Sequence, residues 1–466
     1  MSFIGKTKSL VTLICSKPYD ISTKEGQRNE RARRIAQTAA MGTLAKIINV
    51  LAGLITVPLT LPYFGAEKFG IWMALTGFVV FLSFADFGMS IGLQSSLTKC
   101  FGSNNKAKPS YYISSSLFLI TLISCVIMII SYLIIQAIDI SSLIDVSKDL
   151  ASTANATAVT ILLVFILGVP AGLFLRVFIA YQEGVTANAT LVIGRLLGLV
   201  SVFFCVYLEQ SLPVMVFLYT IMPSVIVYIA AFRFIKQKAY LAPRFTKISF
   251  EYVKDMSKVG FQGLRAQIGA TVMTNGPLMV LAVSFGAKAI VPFVLSQRIL
   301  SVLIMAIGVF LEPLWPAYGE AIERNDVEWI KNTLRKSLLL ALLLSVPFAF
   351  LFVFSGQQLV SWWANSVDAI PSKELLIVCG IWGVLQSFNS AFSMFLNGLN
   401  CFLGQAYYGL IFPLLGVFFG LWLSDSYSLP FCFLVMVVLG DGLKVMMLSI
   451  ESYLKIRHLT KNHALV

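Results

Sequence analysis

Twelve stretches of about twenty mostly apolar residues, six in each half of the chain, constrain this sequence more than any other feature. They fall near 41–64, 69–96, 111–137, 157–181, 187–207 and 211–235, then near 259–285, 289–316, 337–354, 374–398, 403–423 and 429–453. Twenty helical residues rise about 30 Å, the thickness of a bilayer's hydrocarbon core, so each stretch is predicted to span a membrane as an α-helix. Composition excludes a soluble alternative. Of 466 residues, 58% are hydrophobic and 12% charged, more apolar surface than an aqueous domain of this size can hide. The longest connections, 138–156, 236–258, 317–336 and 355–373, are too short for an independent core.

The excess of 35 Lys and Arg over 22 Asp and Glu, a net charge of +13, would suggest nucleic acid in a soluble protein. In a membrane protein its placement reports orientation. With the N-terminus in the cytoplasm, 25 Lys and Arg fall on the inner side and only 4, Lys68, Lys148, Lys288 and Lys373, on the outer side. Cytoplasmic loops carry such an excess, so both termini are expected inside. The expected layout is a basic cytoplasmic tail (1–40), a six-helix bundle (41–235), a basic cytoplasmic linker (236–258), a second six-helix bundle (259–453) and a cytoplasmic tail (454–466). In the first tail, Arg28, Arg31, Arg33 and Arg34 suit an anchor on anionic headgroups.

Residue types narrow the chemistry. The seven cysteines are scattered with no CxxC pair, and the only histidines, His458 and His463, follow the last span. Neither a disulfide frame, a metal centre, a cofactor nor histidine-based catalysis is expected, and the chain does not read as an enzyme. Asp86-Phe87-Gly88 spells the kinase magnesium motif without any glycine-rich nucleotide loop, a chance match. The GxxxG spacings Gly168/Gly172, Gly194/Gly198 and Gly416/Gly420 predict close helix packing. Pro58, Pro62, Pro170, Pro223, Pro277 and Pro292 interrupt or end spans, as in transporters whose helices bend around a site.

A faint repeat joins the halves: Phe64-Gly65-Ala66-Glu67-Lys68 after the first span and Phe285-Gly286-Ala287-Lys288 after the seventh. Six helices separate the copies, and six is even, so both halves enter the membrane from the same side. This predicts parallel repeats around a central cavity.

Charge inside the spans carries the functional reading. Leaving aside Arg233, Glu374 and Glu451 at the very ends of spans, six cations, Lys46, Arg176, Arg195, Arg265, Arg298 and Lys444, stand there against three clear acids, Asp86, Glu312 and Asp441. A charge at the bilayer centre costs about 2.5–3.5 kcal/mol even on insertion scales, so these residues should face one another or a wet cavity. Arg195 and Arg298 sit about 12 and 14 Å into their spans, near the midplane, with no acid one turn away. Lys46, Arg176 and Arg265 lie nearer the cytoplasmic ends, where long side chains snorkel. Asp441 and Lys444, three residues apart, can neutralise each other. An interior rich in cations suits an anionic substrate, because guanidinium forks match phosphate oxygens in pairs. The three acids are candidates for ion coupling, and Trp72, Trp315, Trp382, Phe388 and Tyr318 for apolar stacking faces around the cavity.

Leu61-Pro62-Tyr63-Phe64-Gly65, Phe69-Gly70-Ile71-Trp72 and Asp86-Phe87-Gly88 resemble the N-terminal signature of the O-antigen and polysaccharide flippases. Pro313-Leu314-Trp315-Pro316-Ala317-Tyr318, Glu320-Ala321 and Asp326-Val327-Glu328-Trp329 resemble the linker after that family's eighth helix. The resemblance covers the whole layout. It implies two six-helix bundles around a V-shaped cavity in the bacterial inner membrane. By alternating access, these would carry a polyprenyl-diphosphate-linked oligosaccharide from the cytoplasmic to the outer leaflet. The expected partners are that glycolipid, membrane lipids and polysaccharide polymerase machinery, with no nucleic acid. Two other classes fit less well. A multidrug exporter of organic cations shares the fold but calls for an acid-dominated pocket, and a membrane sugar polymerase or ligase calls for a larger outer loop.

Overall fold

A computed structural model describes residue 19 and residues 24–82, 86, 88–103, 105–137, 140–399 and 401–463. Among them there is no strand. The long helices are α1 (Lys24–Leu82), α2 (Met89–Gly102), α3 (Pro109–Ala137), α4 (Ala151–Ala180), α5 (Gly184–Tyr207), α6 (Leu212–Gln237), α7 (Phe250–Ala289) and α8 (Val291–Leu311). They continue as α9 (Leu314–Glu323), α10 (Val327–Ala364), α11 (Lys373–Gly398), α12 (Phe402–Leu423), α13 (Leu429–Met436) and α14 (Leu443–His463), the last two joined by a π-helical segment at Val437–Gly442. The twelve apolar stretches overlap this succession, the first two sharing α1 and the second divided between α1 and α2, with residues 83–85 and 87 outside those described. Among the described residues, ten helical segments are long and apolar enough to cross a membrane.

Where the structure departs from the sequence expectation, polarity had misled about helix length. Residues 24–40, expected as tail, form the first turns of α1, and α10 runs from Val327 to Ala364 where a span of 337–354 was expected. Asp326 starts α10 by accepting the Trp329 N–H at 3.0 Å, a cap that satisfies an orphan backbone donor. The eighth stretch is split: α8 stops at Leu311, and Leu314–Glu323 is a separate short helix.

The repeat has a backbone counterpart. α1 breaks at Gly65 with φ 78° and ψ 167°, and α7 breaks at Gly286 with φ 85° and ψ 163°. Both values lie in territory that essentially only glycine enters, so the same residue makes the same kink in each half.

The chain forms two compact units. The first comprises Met1–Ala52, Ala85–Leu133 and Thr160–Gly263; the second comprises Gly53–Phe84, Ile134–Val159 and Leu264–Val466. In the first, Leu93 and Leu97 of α2 are buried with Phe178 of α4, Val227 and Phe234 of α6 and Met256 of α7. Here α2 and α7 cross at backbone contact: a Cβ on Gly88 would lie 2.1 Å from the Gly260 carbonyl oxygen, and one on Gly92 2.2 Å from that of Met256. In the second unit, Tyr318, Ile330, Leu334, Phe395 and Leu448 form one core and Leu303, Ile307, Leu311 and Ala391 another.

The outward surface has the polarity expected in lipid. Phe232, Phe354, Phe418 and Trp422 are each more than 60% exposed, a large cost in water and none in hydrocarbon. α3 is inverted relative to a soluble helix. Its buried face carries Ser110, Ser114, Ser115, Ser116 and Ser124, while Phe118, Leu122, Ile129 and Leu133 point out.

Candidate functional site

In the first unit, Arg195 on α5 lies over the ring of Tyr219 on α6, its guanidinium carbon 5.3 Å from the ring centroid, a cation–π contact. The approach depends on small residues: a Cβ on Gly194 would fall 2.4 Å from Pro223 Cα, and one on Gly198 2.8 Å from the Tyr219 oxygen. Gly194/Gly198 is thus the close-packing stripe its spacing predicted. So is Gly416/Gly420, against Met436, whereas Gly172 faces open space. Arg176 on α4 donates to Gln94 Oε1 on α2 at 3.2 Å, and Lys46 is exposed on α1. The side chain of Arg265 lies outside the described residues.

Asp86 is engaged in local structure. Its carboxylate accepts the Gly88 N–H at 2.9 Å and the Ser90 N–H at 3.4 Å, capping the start of α2, while Gly88 takes φ 76°. A short aspartate followed by a left-handed glycine in backbone contact explains the Asp-Phe-Gly spelling by helix architecture.

In the second unit, Arg298 on α8 donates Nη1–H to the Gly53 carbonyl at 2.6 Å and points Nη2 at Met73 Sδ, 3.4 Å away. One residue on, Trp363 Nε1 on α10 donates to the Leu54 carbonyl at 3.0 Å. That carbonyl is the one Pro58 leaves without its helical donor, since proline has no N–H to offer four residues back. A proline-made gap in α1 is filled from another helix.

The third grouping surrounds Asp441, buried on the π-helical segment. Its oxygens accept Trp382 Nε1–H at 2.9 Å and Gln386 Nε2–H at 3.2 Å, both from α11, and Asn389 donates on to Gln386 Oε1 at 3.4 Å. Lys444, one turn along, acts on Asp441 electrostatically, so the acid has three converging sources of positive potential. A narrow cavity lined by Val272, Pro277, Pro413, Val417 and Gly440 opens at Asp441. Glu312, at the C-terminal end of α8, is exposed. Among the described residues no three His, Cys, Asp or Glu side chains are grouped to hold a metal ion.

Sequence reasoning missed Gln94, Tyr219, Trp363, Gln386 and Asn389. The amides carried a usable signal, being costly polar groups inside predicted spans. The aromatic candidates divide: Trp72 and Tyr318 are buried, packed edge-on against Phe69 and Phe395, and Phe388 packs on the Tyr318 core. Phe388 is partly buried and also lines a groove with Lys331 and Arg335. Trp382 is a hydrogen-bond donor, and Trp315 is 45% exposed.

Long helices, cations inside apolar spans and a carboxylate held by intramembrane donors make this a multi-pass membrane protein with the fold of the MOP superfamily of transporters. The fold matches an inward-facing multidrug resistance MATE family transporter of that superfamily with TM-score 0.66, at 16% identity, over 90% of this chain and 96% of that one. It matches the lipid II flippase MurJ in an inward closed conformation with TM-score 0.69, at 14% identity, over 90% and 89% of the two chains. The chain belongs to the family described as polysaccharide biosynthesis protein, which matches residues 35–322. Two Salmonella proteins, each named "Putative O-antigen transporter", are relatives. That of Salmonella typhimurium is 21% identical over 78% of this chain and 83% of its own length, and that of Salmonella typhi 23% identical over 83% and 92%.

Proposed function

We propose that the protein is a flippase that moves a polyprenyl-diphosphate-linked oligosaccharide from the cytoplasmic to the outer leaflet of the bacterial inner membrane by alternating access of two six-helix bundles, 41–235 and 259–453. Arginines deep in apolar spans, in a chain of the polysaccharide family, carry this reading. An anionic headgroup crosses hydrocarbon only where fixed cations replace its hydration. Arg195 and Arg298 are the candidates near the midplane, Lys46, Arg176 and Arg265 supply the approach from the cytoplasmic leaflet, and Lys444 is a further anion-binding candidate. In this reading Arg298 exchanges the Gly53 carbonyl for phosphate oxygens, which makes binding reversible, because leaving substrate finds a protein acceptor ready to replace it. Both termini are cytoplasmic. A potential negative inside favours outward movement of uncompensated negative charge by about 2.3 kcal/mol per 100 mV.

Asp441 is the coupling group of this proposal, with Glu312 exposed at the end of α8 as a further acid; Asp86 serves α2 as its cap. Replacing Arg195 or Arg298 by Gln should abolish surface polysaccharide while leaving protein level and membrane insertion intact. Lys at either position should restore only part, lacking the planar fork. Full surface display by the double Gln variant would reject the anion site and favour an exporter of organic cations.

A further inference from the structure

The linker between α6 and α7 is bolted to α3 by the inverted serine face. Ser110 Oγ donates to the Ala242 carbonyl at 2.6 Å, Ser114 Oγ accepts the Arg244 N–H at 2.9 Å, and Ser115 Oγ accepts the Ser249 N–H at 3.0 Å. Three buried hydroxyls thus fix residues 242–249 in one place. What that segment displays is amphipathic. Phe245 is 87% and Phe250 79% exposed, with Arg244 immediately before the first and Lys247 between the two. Lys247 Nζ stands 5.2 Å from the centroid of the Tyr111 ring, which stacks on Tyr252. Aromatic side chains interleaved with cations at a span's end suit a segment lying in the headgroup plane.

Beside this segment runs a groove of about 400 Å³, almost wholly apolar, between Ser114, Phe118, Leu122 and Cys125 of α3 and Arg244 and Ile248 of the linker. From Ser114 to Cys125 the helix rises about 16 Å, half the roughly 30 Å hydrocarbon core, so the groove is one leaflet long. Its upper walls, Phe118 and Leu122, are nearly half exposed and face lipid. Its mouth holds Arg244, which has no ion-pair partner among the described residues. The acids at the start of α7, Glu251 and Asp255, belong to a separate polar cavity with Lys108, Lys254 and Lys258, and Asp255 is engaged by the Tyr112 hydroxyl at 2.7 Å.

We propose that this groove binds one anionic phospholipid of the inner leaflet, an acyl chain lying along α3 and the phosphate facing Arg244 and Lys247. The leaflet assignment rests on the cytoplasmic placement of the linker; the binding chemistry does not. The length fits one acyl chain and the mouth fits one phosphate, while the serine bolts keep the two in register. A bound lipid would also tie the linker to the end of α3, adding a hold on the only covalent connection between the two proposed bundles.

The test titrates the purified full chain in detergent with phosphatidylglycerol and phosphatidylcholine bearing identical oleoyl chains, and counts adducts by native mass spectrometry. One tightly bound phosphatidylglycerol is expected, with phosphatidylcholine weaker. Arg244→Gln should weaken phosphatidylglycerol about tenfold, as loss of a charge-assisted phosphate contact does. Leu122→Trp, which fills the groove, should remove the adduct, and Lys254→Gln, an equal charge loss outside it, should leave binding unchanged. Equal binding of the two lipids, or indifference to Arg244→Gln, would overturn the proposal. So would a polyprenyl phosphate that displaces phosphatidylglycerol at lower concentration, since the groove would then belong to the transported lipid. The assay is blind to orientation, so an error in the topology leaves its outcome standing.

Discussion

Glu30 near the start of α1 accepts from Arg33 Nε and Nη2, each at 2.7 Å, from Arg34 Nε at 2.9 Å and from the Tyr19 N–H at 3.1 Å. Hydrogen bonding to Arg33 above all, then to Arg34 and Tyr19, holds its carboxyl well below the usual carboxylate range, against the opposing effect of burial. A depressed folded value means the contribution is fully present above the unfolded pKa, about 4.3, and fades as pH falls through the folded value. At neutral pH, Glu30→Gln should therefore accelerate amide hydrogen exchange over residues 24–40. Identical exchange at neutral pH would mean that the arginine clasp contributes nothing to the helix start. The same residue scale limits what a sequence discloses. That Arg195 and Arg298 lie deep in spans is legible from their numbers alone. That one rests on a tyrosine ring and the other on a backbone carbonyl depends on which helix comes alongside, and no local pattern encodes that.

At the scale of elements, α1 is a helix with a deliberate defect. Pro58 removes the donor that would have closed the Leu54 carbonyl, and Trp363 repairs it from α10. Trp363→Phe keeps the apolar ring but leaves that carbonyl without a donor, at a cost of about 1–3 kcal/mol. Pro58→Ala returns an N–H to the helix, so the same Trp363→Phe change should cost much less in that background. Thermal midpoints of the four variants in detergent would show the coupling, and additive losses would mean the carbonyl does not need Trp363. Element lengths were partly legible. Apolar runs mark hydrocarbon depth, whereas α1 and α10 continue past it as polar helix, where hydropathy is silent. The Asp-Phe-Gly and Pro-Leu-Trp-Pro-Ala-Tyr signatures turn out to mark a cap, a backbone crossing and a core tyrosine. Motifs that identify the family therefore describe its joints, and substrate preference has to be sought in residues outside them.

For the whole molecule, the helical membrane architecture was the most legible layer, because lipid imposes one rule on every span: close the backbone hydrogen bonds internally and turn apolar groups outward. The likeness between the halves was legible only as a four-residue match, whose two copies share the same glycine kink. Orientation follows from charge, and the 25-to-4 bias of Lys and Arg sets the expectation. An alkaline phosphatase fused after residue 250 should be inactive, and a fluorescent protein that folds only in the cytoplasm should light up there. Active phosphatase would place the basic linker outside and reverse the direction of transport proposed above.

The two glycine kinks share a neighbour. In the second unit, the Ser147 N–H donates to Glu67 Oε1 at 2.7 Å, two residues after the Gly65 kink, and the Ala287 N–H, next to Gly286, donates to the Ile144 carbonyl at 2.8 Å. Loops between membrane helices ordinarily absorb insertions and deletions with little effect. This one cannot, for three steps of backbone from Ile144 to Ser147 must span the gap between two kinks belonging to different halves of the chain. Its length is a measured part, like the distance between two bolt holes. Among relatives that keep both glycines, sequence here should be free to drift while residue count stays fixed, the reverse of what a surface loop normally shows.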